Sequence, residues 1–405
     1  MQENRPKTAR EMGIMAGFPP PAEKRPTLEN WDLAPFNRWS FRNIRSLFPT
    51  VDVHRGPGQP RPLPEAAQDL AQVRFRASDG RDTTIAGWLR DSYTDGLIVL
   101  AGGKVALEHY ENGLDRHGPH LSQSVAKSLI GTLAGILHHE GMVDLAAPLA
   151  TLVPELIDCG YADCTLDQAL DMQSGVRFTE DYGVAWSDMT RIDVASGWRP
   201  ARAGEIRPTI RDVILSLPKV RGHGELFEYR SIETDVVAWA LERAAGADLA
   251  SLLSSRIWSR LGMEENGFFT VDGAGTALAD GGFNATLRDY ARFGLMMAQN
   301  GQANGQQIVP ERWIDGIRRG GERGKFGAPY DLASPNGAYR RFWWVQDVEA
   351  ETFMARGVFG QMIWVDPRNE VVIVKLSSWP DYLIPAFTHD AIAACVALTD
   401  ALVSG

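Results

Sequence analysis

The 405-residue sequence has few cysteines, no long apolar run and no excess of basic charge. Its three cysteines, Cys159, Cys164 and Cys395, do not have the spacing of a disulfide framework or of a zinc site. No run of about 18 or more apolar residues occurs, and the polar, proline-rich N-terminus lacks the apolar segment of a signal peptide. We therefore expect a cytoplasmic protein with free thiols and no association with a membrane.

The overall composition excludes a further class of function. The net charge is −10 and no cluster of basic residues occurs, so binding to nucleic acid is not expected. A hydrophobic content of 44% and a charged content of 23% are those of an ordinary globular protein. The length allows a large core and two closely packed subdomains. Composition does not decide between a monomer and a homodimer.

Several common catalytic motifs are also missing. The sequence has no G-x-S-x-G, which excludes the nucleophile elbow of the α/β-hydrolases. His138-His139-Glu140 lacks the second histidine of H-E-x-x-H, and no Walker glycine loop precedes Lys325. We therefore expect no metal and no organic cofactor.

A serine and a lysine at helical spacing are the strongest positive signal. Ser124 and Lys127 begin a segment with apolar residues at 129, 130, 133, 136 and 137, which predicts a buried helix with both side chains on one face. The N–H groups at a helix N-terminus can stabilise negative charge that develops beside the serine. A lysine whose pKa is lowered by burial can act as the base for that serine.

The sequence contains a second S-x-x-K pattern, Ser216 to Lys219. Pro218 lies inside it and is incompatible with a continuous helix. Because Ser124 and Lys127 lie among apolar residues on a predicted helix, we take that pair as the candidate nucleophile and base.

The order of predicted elements indicates an α+β protein. Residues 1–75 read as an N-terminal extension packed on the body. Residues 76–145 and 284–405 form a subdomain with a predicted hairpin at 95–101 and 104–110, and a mainly helical subdomain spans 146–283. Within it, 176–208 reads as a loop. Strands near both ends of the chain imply one antiparallel sheet that the C-terminal strands complete.

With the Ser-Lys helix placed, the chain resembles the penicillin-recognising serine hydrolases, the superfamily of class C β-lactamases, D,D-peptidases, related esterases and 6-aminohexanoate-dimer (nylon-oligomer) hydrolases. The resemblance covers residues 95–380 and implies a β-lactamase/transpeptidase-like fold. The matching segments are GLIVLAGGKVALEHY, SVAK, EGMVDLAAPLATLVPEL, CTLDQALDMQSGV, FEYRSIETDVVAWALERAAG, RIWSRLGM, ADGGFNATLRDYARFG and GVFGQMIWVDPRNEVVIVKLSS.

Within the superfamily the chain is most similar to the 6-aminohexanoate-dimer hydrolases, and this similarity extends into the N-terminal extension. The points of likeness are NRWSF near the N-terminus, EDY at 180–182, DVASGWR at 193–199, FWW at 342–344 and VIVKLSSWPD at 372–381.

The resemblance implies a catalytic centre with defined roles. Tyr229, in Tyr229-Arg230-Ser231, matches the tyrosine that protonates the leaving group in such enzymes. Lys127, neutral through burial, is expected to deprotonate Ser124. The N–H groups of Ser124 and Val358 are expected to form the oxyanion hole, with Gly357 keeping the backbone open to substrate.

The chain departs from the superfamily at its K-T-G motif, where Ala355-Arg356-Gly357 stands. The missing lysine is the cation that contacts the carboxylate of β-lactams and D-Ala-D-Ala peptides. Strand alternation is expected to turn Arg356 to the opposite face of the sheet. The departure favours an amide or ester hydrolase over a penicillin-binding enzyme.

Four further residues are candidates for contact with substrate. In the likeness, Tyr182 could hydrogen-bond the scissile amide nitrogen and Asp193 could attract a substrate ammonium. Asp280 lies near the site, and Trp343 or its neighbour Trp344 is expected to line the pocket.

We therefore predict a serine hydrolase that cleaves short linear amides through an acyl-enzyme, acting on a small-molecule substrate. A carboxylesterase with the same catalytic groups is the first alternative. A D,D-peptidase or β-lactamase is the second, and a non-catalytic binding protein that retained the fold is the third.

Overall fold

The computed structural model describes residues 5–404. Its strands are β1 (Thr50–Val53), β2 (Arg74–Arg76), β3 (Asp82–Thr84), β4 (Thr94–Ala101), β5 (Lys104–Tyr110), β6 (Pro119–Leu121), β7 (Gly267–Thr270), β8 (Phe283–Thr286), β9 (Gln302–Ala303), β10 (Gln306–Gln307), β11 (Ala338–Arg340), β12 (Trp343–Asp347), β13 (Thr352–Gly357), β14 (Gln361–Asp366) and β15 (Val371–Ser377). Its helices are α1 (Asn37–Ser40), α2 (Ile85–Asp91), α3 (Val125–His139), α4 (Leu149–Leu152), α5 (Leu166–Leu170), α6 (Asp188–Ala195), α7 (Ile210–Leu215), α8 (Ile232–Ala245), α9 (Leu249–Leu253), α10 (Leu287–Ala298), α11 (Glu311–Arg319) and α12 (Pro385–Ser404).

A seven-stranded antiparallel sheet organises the molecule, in the order β11-β12-β13-β14-β15-β4-β5. The β4–β5 hairpin turns at Gly102 and Gly103, which both have positive φ. Strand β15 pairs with β4 from Val371↔Ala101 to Ser377↔Thr94. The C-terminal strands thus complete a sheet that begins with the N-terminal hairpin, and the predicted α+β, β-lactamase/transpeptidase-like class is confirmed.

The sheet buries both of its faces, each in a separate hydrophobic cluster. Alternate residues of β4 divide between the two: Ile98 and Leu100 pack with α3 and α10, whereas Leu97 and Val99 pack on the α2 and α12 side. Helix α12 is long and apolar enough to cross a membrane by length and composition alone, yet residues such as Cys395 and Leu398 on one of its faces are buried against the sheet.

The N-terminal segment packs against the rest of the protein through buried side chains. Trp31 is fully buried, and its Nε1–H donates to the Trp198 carbonyl at 2.9 Å. Arg38 pairs with Asp95 at 2.8 Å and donates to the Ser378 hydroxyl at 2.9 Å. A second sheet, β1-β7-β8-β6, attaches this segment to the strands that flank α3 and α10.

The prediction that 176–208 is a loop throughout was wrong. Residues 188–195 form α6, whose first turn is capped because the Ser187 hydroxyl accepts the Thr190 N–H at 3.1 Å. The helix is too short, and too closely flanked by glycine and tryptophan, to show a clear apolar periodicity. Its N-cap serine was the only local sequence signal.

Helix α3 is fully buried from Val125 to Leu137, and two glycines allow its neighbours to approach. A Cβ on Gly131 would lie 2.1 Å from the Arg341 carbonyl oxygen, and a Cβ on Gly135 would lie 2.4 Å from the Trp313 ring. The two glycines are four residues apart and therefore share a face. This face seats α3, and with it Ser124 and Lys127, against β11–β12 and α11.

Gly131→Ala should therefore destabilise the protein, although alanine is normally the better helix former. The added methyl would meet backbone atoms of Arg341, which cannot rotate away, and we expect a loss of about 1–3 kcal/mol in the free energy of unfolding. Urea denaturation measures this change in the free energy of unfolding. The control is Gly273→Ala, where the Cβ meets nothing within 4 Å; equal stability of the two variants would contradict the close approach.

Candidate active site

The site begins at the entry to α3. Strand β6 leads into Gln123, which has φ +49°, a conformation unusual for a residue with a side chain and often found where function requires it. Ser124 follows as the N-cap residue, with Val125 as the first helical residue. Among the described residues the Ser124 N–H donates no hydrogen bond. It is therefore free to bind an oxygen in front of the helix.

Lys127 lies directly beside the Ser124 hydroxyl. Its Nζ donates to Ser124 Oγ at 2.9 Å and to the backbone carbonyl of Asp280 at 2.7 Å. The lysine side chain is almost completely buried. The second S-x-x-K pattern forms no such pair, because Lys219 Nζ instead binds Asp163 at 2.5 Å.

Tyr229 completes the group, just before the first turn of α8. The Lys127 Nζ lies 5.3 Å from the centre of its ring, and the ring stacks on Trp344 at 5.4 Å and 26°. The Tyr229 backbone N–H donates to Tyr330 Oη at 3.2 Å. The structure thus brings together the three residues predicted as catalytic.

We expected burial to leave Lys127 neutral, and this expectation was wrong. Burial does act to lower the pKa of Lys127, but Tyr229 and the acids Asp280, Glu180 and Asp235 together outweigh it, so the pKa is raised. Burial raises the pKa of Tyr229, which the Lys127 ammonium only partly offsets. The surroundings therefore favour the protonated form of both side chains.

The acids around Lys127 are themselves perturbed. Burial raises the pKa of Asp280 to about 6, although Lys127 lowers it in part. Burial and the neighbouring Asp280 raise the pKa of Asp235 well above its usual range. Closely spaced buried carboxyls of this kind are typical of functional sites.

Glu180 is a central residue that the sequence did not reveal. Its carboxylate accepts from the Tyr182 hydroxyl at 2.5 Å, from the Ser231 N–H at 2.8 Å and from the Ser231 hydroxyl at 2.5 Å. It therefore ties Tyr182 to the turn that carries Tyr229. The segment EDY at 180–182 is one of the points of similarity to the 6-aminohexanoate-dimer hydrolases, but no local sequence pattern predicts these contacts of Glu180.

A cavity of about 480 Å³ opens on Ser124. Of the predicted substrate residues, Tyr182 and Gly357 line it, together with the predicted oxyanion residue Val358. Tyr182 stacks on Tyr382 at 5.4 Å and 20°. The cavity is thus bordered by the nucleophile candidate, by an aromatic pair and by the end of β13.

The end of β13 lies close to the residues before Ser124. A Cβ on Gly357 would lie 2.7 Å from the Ser122 carbonyl oxygen and 3.0 Å from Gln123 Cβ, so only glycine permits this approach. The next residue, Val358, donates no hydrogen bond from its N–H among the described residues. The strand end is therefore held against the start of α3 with a free N–H.

Two of the predicted substrate residues do not line the cavity. Trp343 was placed wrongly: it is fully buried in the core, stacked on Phe293 at 5.9 Å, and its neighbour Trp344 lines the cavity instead. Asp193 lies on α6 and does not border this cavity. Burial raises the pKa of Asp193 well above its usual range, against the opposing effect of Arg199.

Arg356 follows strand alternation as predicted, yet still reaches the cavity. It pairs across the ladder with Met362, which belongs to the cluster on the α12 side of the sheet. The cavity continues around the end of β13 to that side, where Arg356 lines it. The inference that the opposite face removes this cation from the site was therefore wrong.

No group of three or more His, Cys, Asp or Glu side chains within residues 5–404 is placed to hold a metal ion.

The fold is that of hydrolases built on the β-lactamase scaffold. The chain belongs to the Beta-lactamase family, whose profile matches residues 90–395. It is 38% identical over 367 residues to the 6-aminohexanoate-dimer hydrolase of Paenarthrobacter ureafaciens, an alignment that covers 90% of this chain and 91% of the relative. The predicted resemblance is confirmed.

Solved structures agree with this assignment. A Bacillus anthracis protein provisionally assigned as a 6-aminohexanoate-dimer hydrolase superposes with a TM-score of 0.87 at 28% identity, over 95% of this chain and 99% of its own. A family VIII carboxylesterase superposes with a TM-score of 0.56 at 13% identity, over 75% of this chain and 92% of its own, which is a likeness of fold alone.

The two tryptophans provide a test of these positions. Trp343→Ala should lower the free energy of unfolding by about 3–5 kcal/mol, because it empties a packed core site. Trp344→Ala should lower it less, but should reduce kcat by about tenfold to a hundredfold, because Tyr229 loses the ring it stacks on. Denaturation and steady-state kinetics measure the two effects, and the reverse pattern would show that the faces of β12 are misassigned.

Proposed function

We propose that the protein is a cytoplasmic serine hydrolase that cleaves short linear amides of the 6-aminohexanoate-dimer type through an acyl-enzyme. The observation that carries the proposal is the 2.9 Å contact between Lys127 Nζ and Ser124 Oγ, at a helix N-terminus inside a cavity. The 38% identity to a 6-aminohexanoate-dimer hydrolase supports the class of substrate.

In the first step Ser124 Oγ attacks the amide carbonyl. Lys127 and Tyr229 act as one proton-transfer unit, because their protons are coupled through the short distance between them. The unit accepts the Ser124 proton once it has lost one of its own. Lys127, fixed by Ser124 Oγ and the Asp280 carbonyl, keeps the hydroxyl in position throughout.

The oxyanion that forms is bound by the N–H groups of Ser124 and Val358. Both are free of other partners among the described residues, and Gly357 holds the strand end against the start of α3. Preorganised N–H donors of this kind are worth about 2.7–4 kcal/mol each to the transition state.

Tyr229 then delivers a proton to the leaving nitrogen. Water finally hydrolyses the ester bond between the acyl group and Ser124, which releases the acid. An amine leaves poorly unless it is protonated, so this step matters more for amides than for esters. Tyr182 lies on the same cavity wall and is fixed by Glu180 in a position to bind the departing nitrogen.

Two features favour this class of substrate over β-lactams. Ala355, at the position of the superfamily's K-T-G lysine, is a buried aliphatic residue, so no cation occupies that place. Glu180 lies on the cavity wall on the same side as Ser124 and Tyr182. Its carboxylate favours a substrate whose acyl part carries an ammonium group.

A substrate panel tests the proposal. The wild type should hydrolyse the linear 6-aminohexanoate dimer and short p-nitrophenyl esters, and should hydrolyse nitrocefin slowly or not at all. Ser124→Ala should lose a factor of about 10³ or more in kcat and all labelling by a fluorophosphonate probe. The matched control is Ser216→Ala, the serine of the second S-x-x-K pattern.

The outcomes separate the alternatives. Turnover of esters without amides supports a carboxylesterase, and a covalent penicillin adduct in intact-mass spectra supports a penicillin-binding enzyme. Labelling of Ser124→Ala at the wild-type level, or no labelling of the wild type, would rule out Ser124 as the nucleophile.

The raised pKa values of Lys127 and Tyr229 predict the pH profile. Only the pair that has lost one proton can accept the Ser124 proton, and that form becomes more abundant as pH rises. We expect kcat/KM for an uncharged ester, corrected for spontaneous hydrolysis, to rise with pH from about 6 to above about 9. A plateau already reached at pH 7 would show that the pair is deprotonated in the resting enzyme.

A further inference from the structure

The cavity has a second part that the proposed chemistry does not use. It extends from Ser124 around the end of β13 to the start of α12. We call this part the α12 lobe; it is lined by Arg356, Met362, Trp379, Pro385, Thr388 and Ala391. Because most of these side chains are apolar, the lobe suits a hydrocarbon chain, and Arg356 is the cationic guanidinium on its wall.

Arg356 is partly exposed and has no acidic partner within the described residues, in contrast to several buried arginines. Arg38, Arg288 and Arg292 each form an ion pair with a carboxylate. Within residues 5–404, Arg356 forms no salt bridge and donates no side-chain hydrogen bond. Its guanidinium instead lies over the Trp344 ring at 4.9 Å. All five of its N–H donors are available to a ligand.

The surroundings of this guanidinium are unfavourable for an isolated charge. Burial lowers the pKa of Arg356 to about 10, and Tyr229 alone acts in the opposite direction. Charges that lose contact with bulk water are normally paired in proteins. An anion that entered the lobe would supply the missing partner, and a guanidinium can bind a carboxylate through two hydrogen bonds.

We propose that Arg356 binds a carboxylate at the end of the leaving-amine part of the substrate, with the intervening methylene chain in the α12 lobe. The inference rests on the proposed function and adds to its substrate class a terminal carboxylate on the leaving amine. Glu180, on the cavity wall, faces the acyl part, and Arg356, on the α12 side of the sheet, takes the anionic end. The preferred substrates are linear ω-amino amides whose leaving amine is an ω-amino acid.

The test compares substrates that differ only at that terminal group. The pair is 6-aminohexanoyl-6-aminohexanoate and its terminal carboxamide, assayed on wild type, Arg356→Gln and Arg356→Lys. The wild type should prefer the carboxylate in kcat/KM, and Arg356→Gln should reduce this preference by about tenfold or more. Because each ratio is taken within one enzyme, a general loss of activity cancels.

Chain length provides a second measurement. With leaving amines derived from glycine, 4-aminobutyrate, 6-aminohexanoate and 8-aminooctanoate, the wild-type preference for carboxylate should depend on length, because the group must reach Arg356. Arg45→Gln is the matched control: it removes another guanidinium that lies over an aromatic ring, 3.9 Å from Phe268, outside this cavity. It should keep the wild-type ratios.

Two results would overturn the proposal. One is a wild type without preference for the carboxylate at any length. The other is an Arg356→Gln variant that loses activity equally on both substrates, which would show that Arg356 only supports Trp344 and Tyr229. If the wild type hydrolyses neither substrate, the proposed function fails separately. Dissociation constants of the two compounds for Ser124→Ala and Ser124→Ala/Arg356→Gln then still decide whether Arg356 binds the carboxylate.

Discussion

The site depends on placing the Lys127 ammonium in a dry core. Removing a charge from water is unfavourable unless polar groups and opposite charges surround it. Here the Ser124 hydroxyl and the Asp280 carbonyl supply the direct contacts, and Asp280, Glu180 and Asp235 supply the negative field. The acids are in turn destabilised by their own burial, which Lys127 relieves. The lysine and the acids therefore stabilise one another, and neither could be buried alone.

Apolar periodicity and turn-forming residues made several elements of the fold, and the Ser124–Lys127 pair, predictable from the sequence. The apolar spacing after Ser124 predicted α3, the predicted hairpin corresponds to β4 and β5, and the strands expected near the C-terminus correspond to β14 and β15. Because a lysine three residues after a serine on a helix must lie beside it, the central pair followed from sequence alone. Tyr229 required the family resemblance, since nothing within its own segment connects it to α3.

What the sequence could not predict depends on tertiary packing. Trp343 and Trp344 are adjacent and chemically identical, and only the pairing of β12 with β13, which contains an irregularity between Val345 and Asp347, decides which one faces the cavity. Glu180 gains its role from contacts with Ser231, about fifty residues later in the chain. The protonation of Lys127 depends on acids from three separate segments, whose field cannot be inferred from the residues next to it.

The end of β13 shows how one strand can separate chemistry from recognition. Ala355 and Gly357 face α3, where the close approach of Gly357 to Ser122 holds the strand end beside the start of the helix. Arg356, between them, points to the α12 side. A cation at 355 would lie in the core next to the reacting groups and would add positive charge beside Lys127. In the proposed substrate complex the cation at 356 attracts the substrate anion from the α12 side, and the acids remain the nearest charged groups to Lys127.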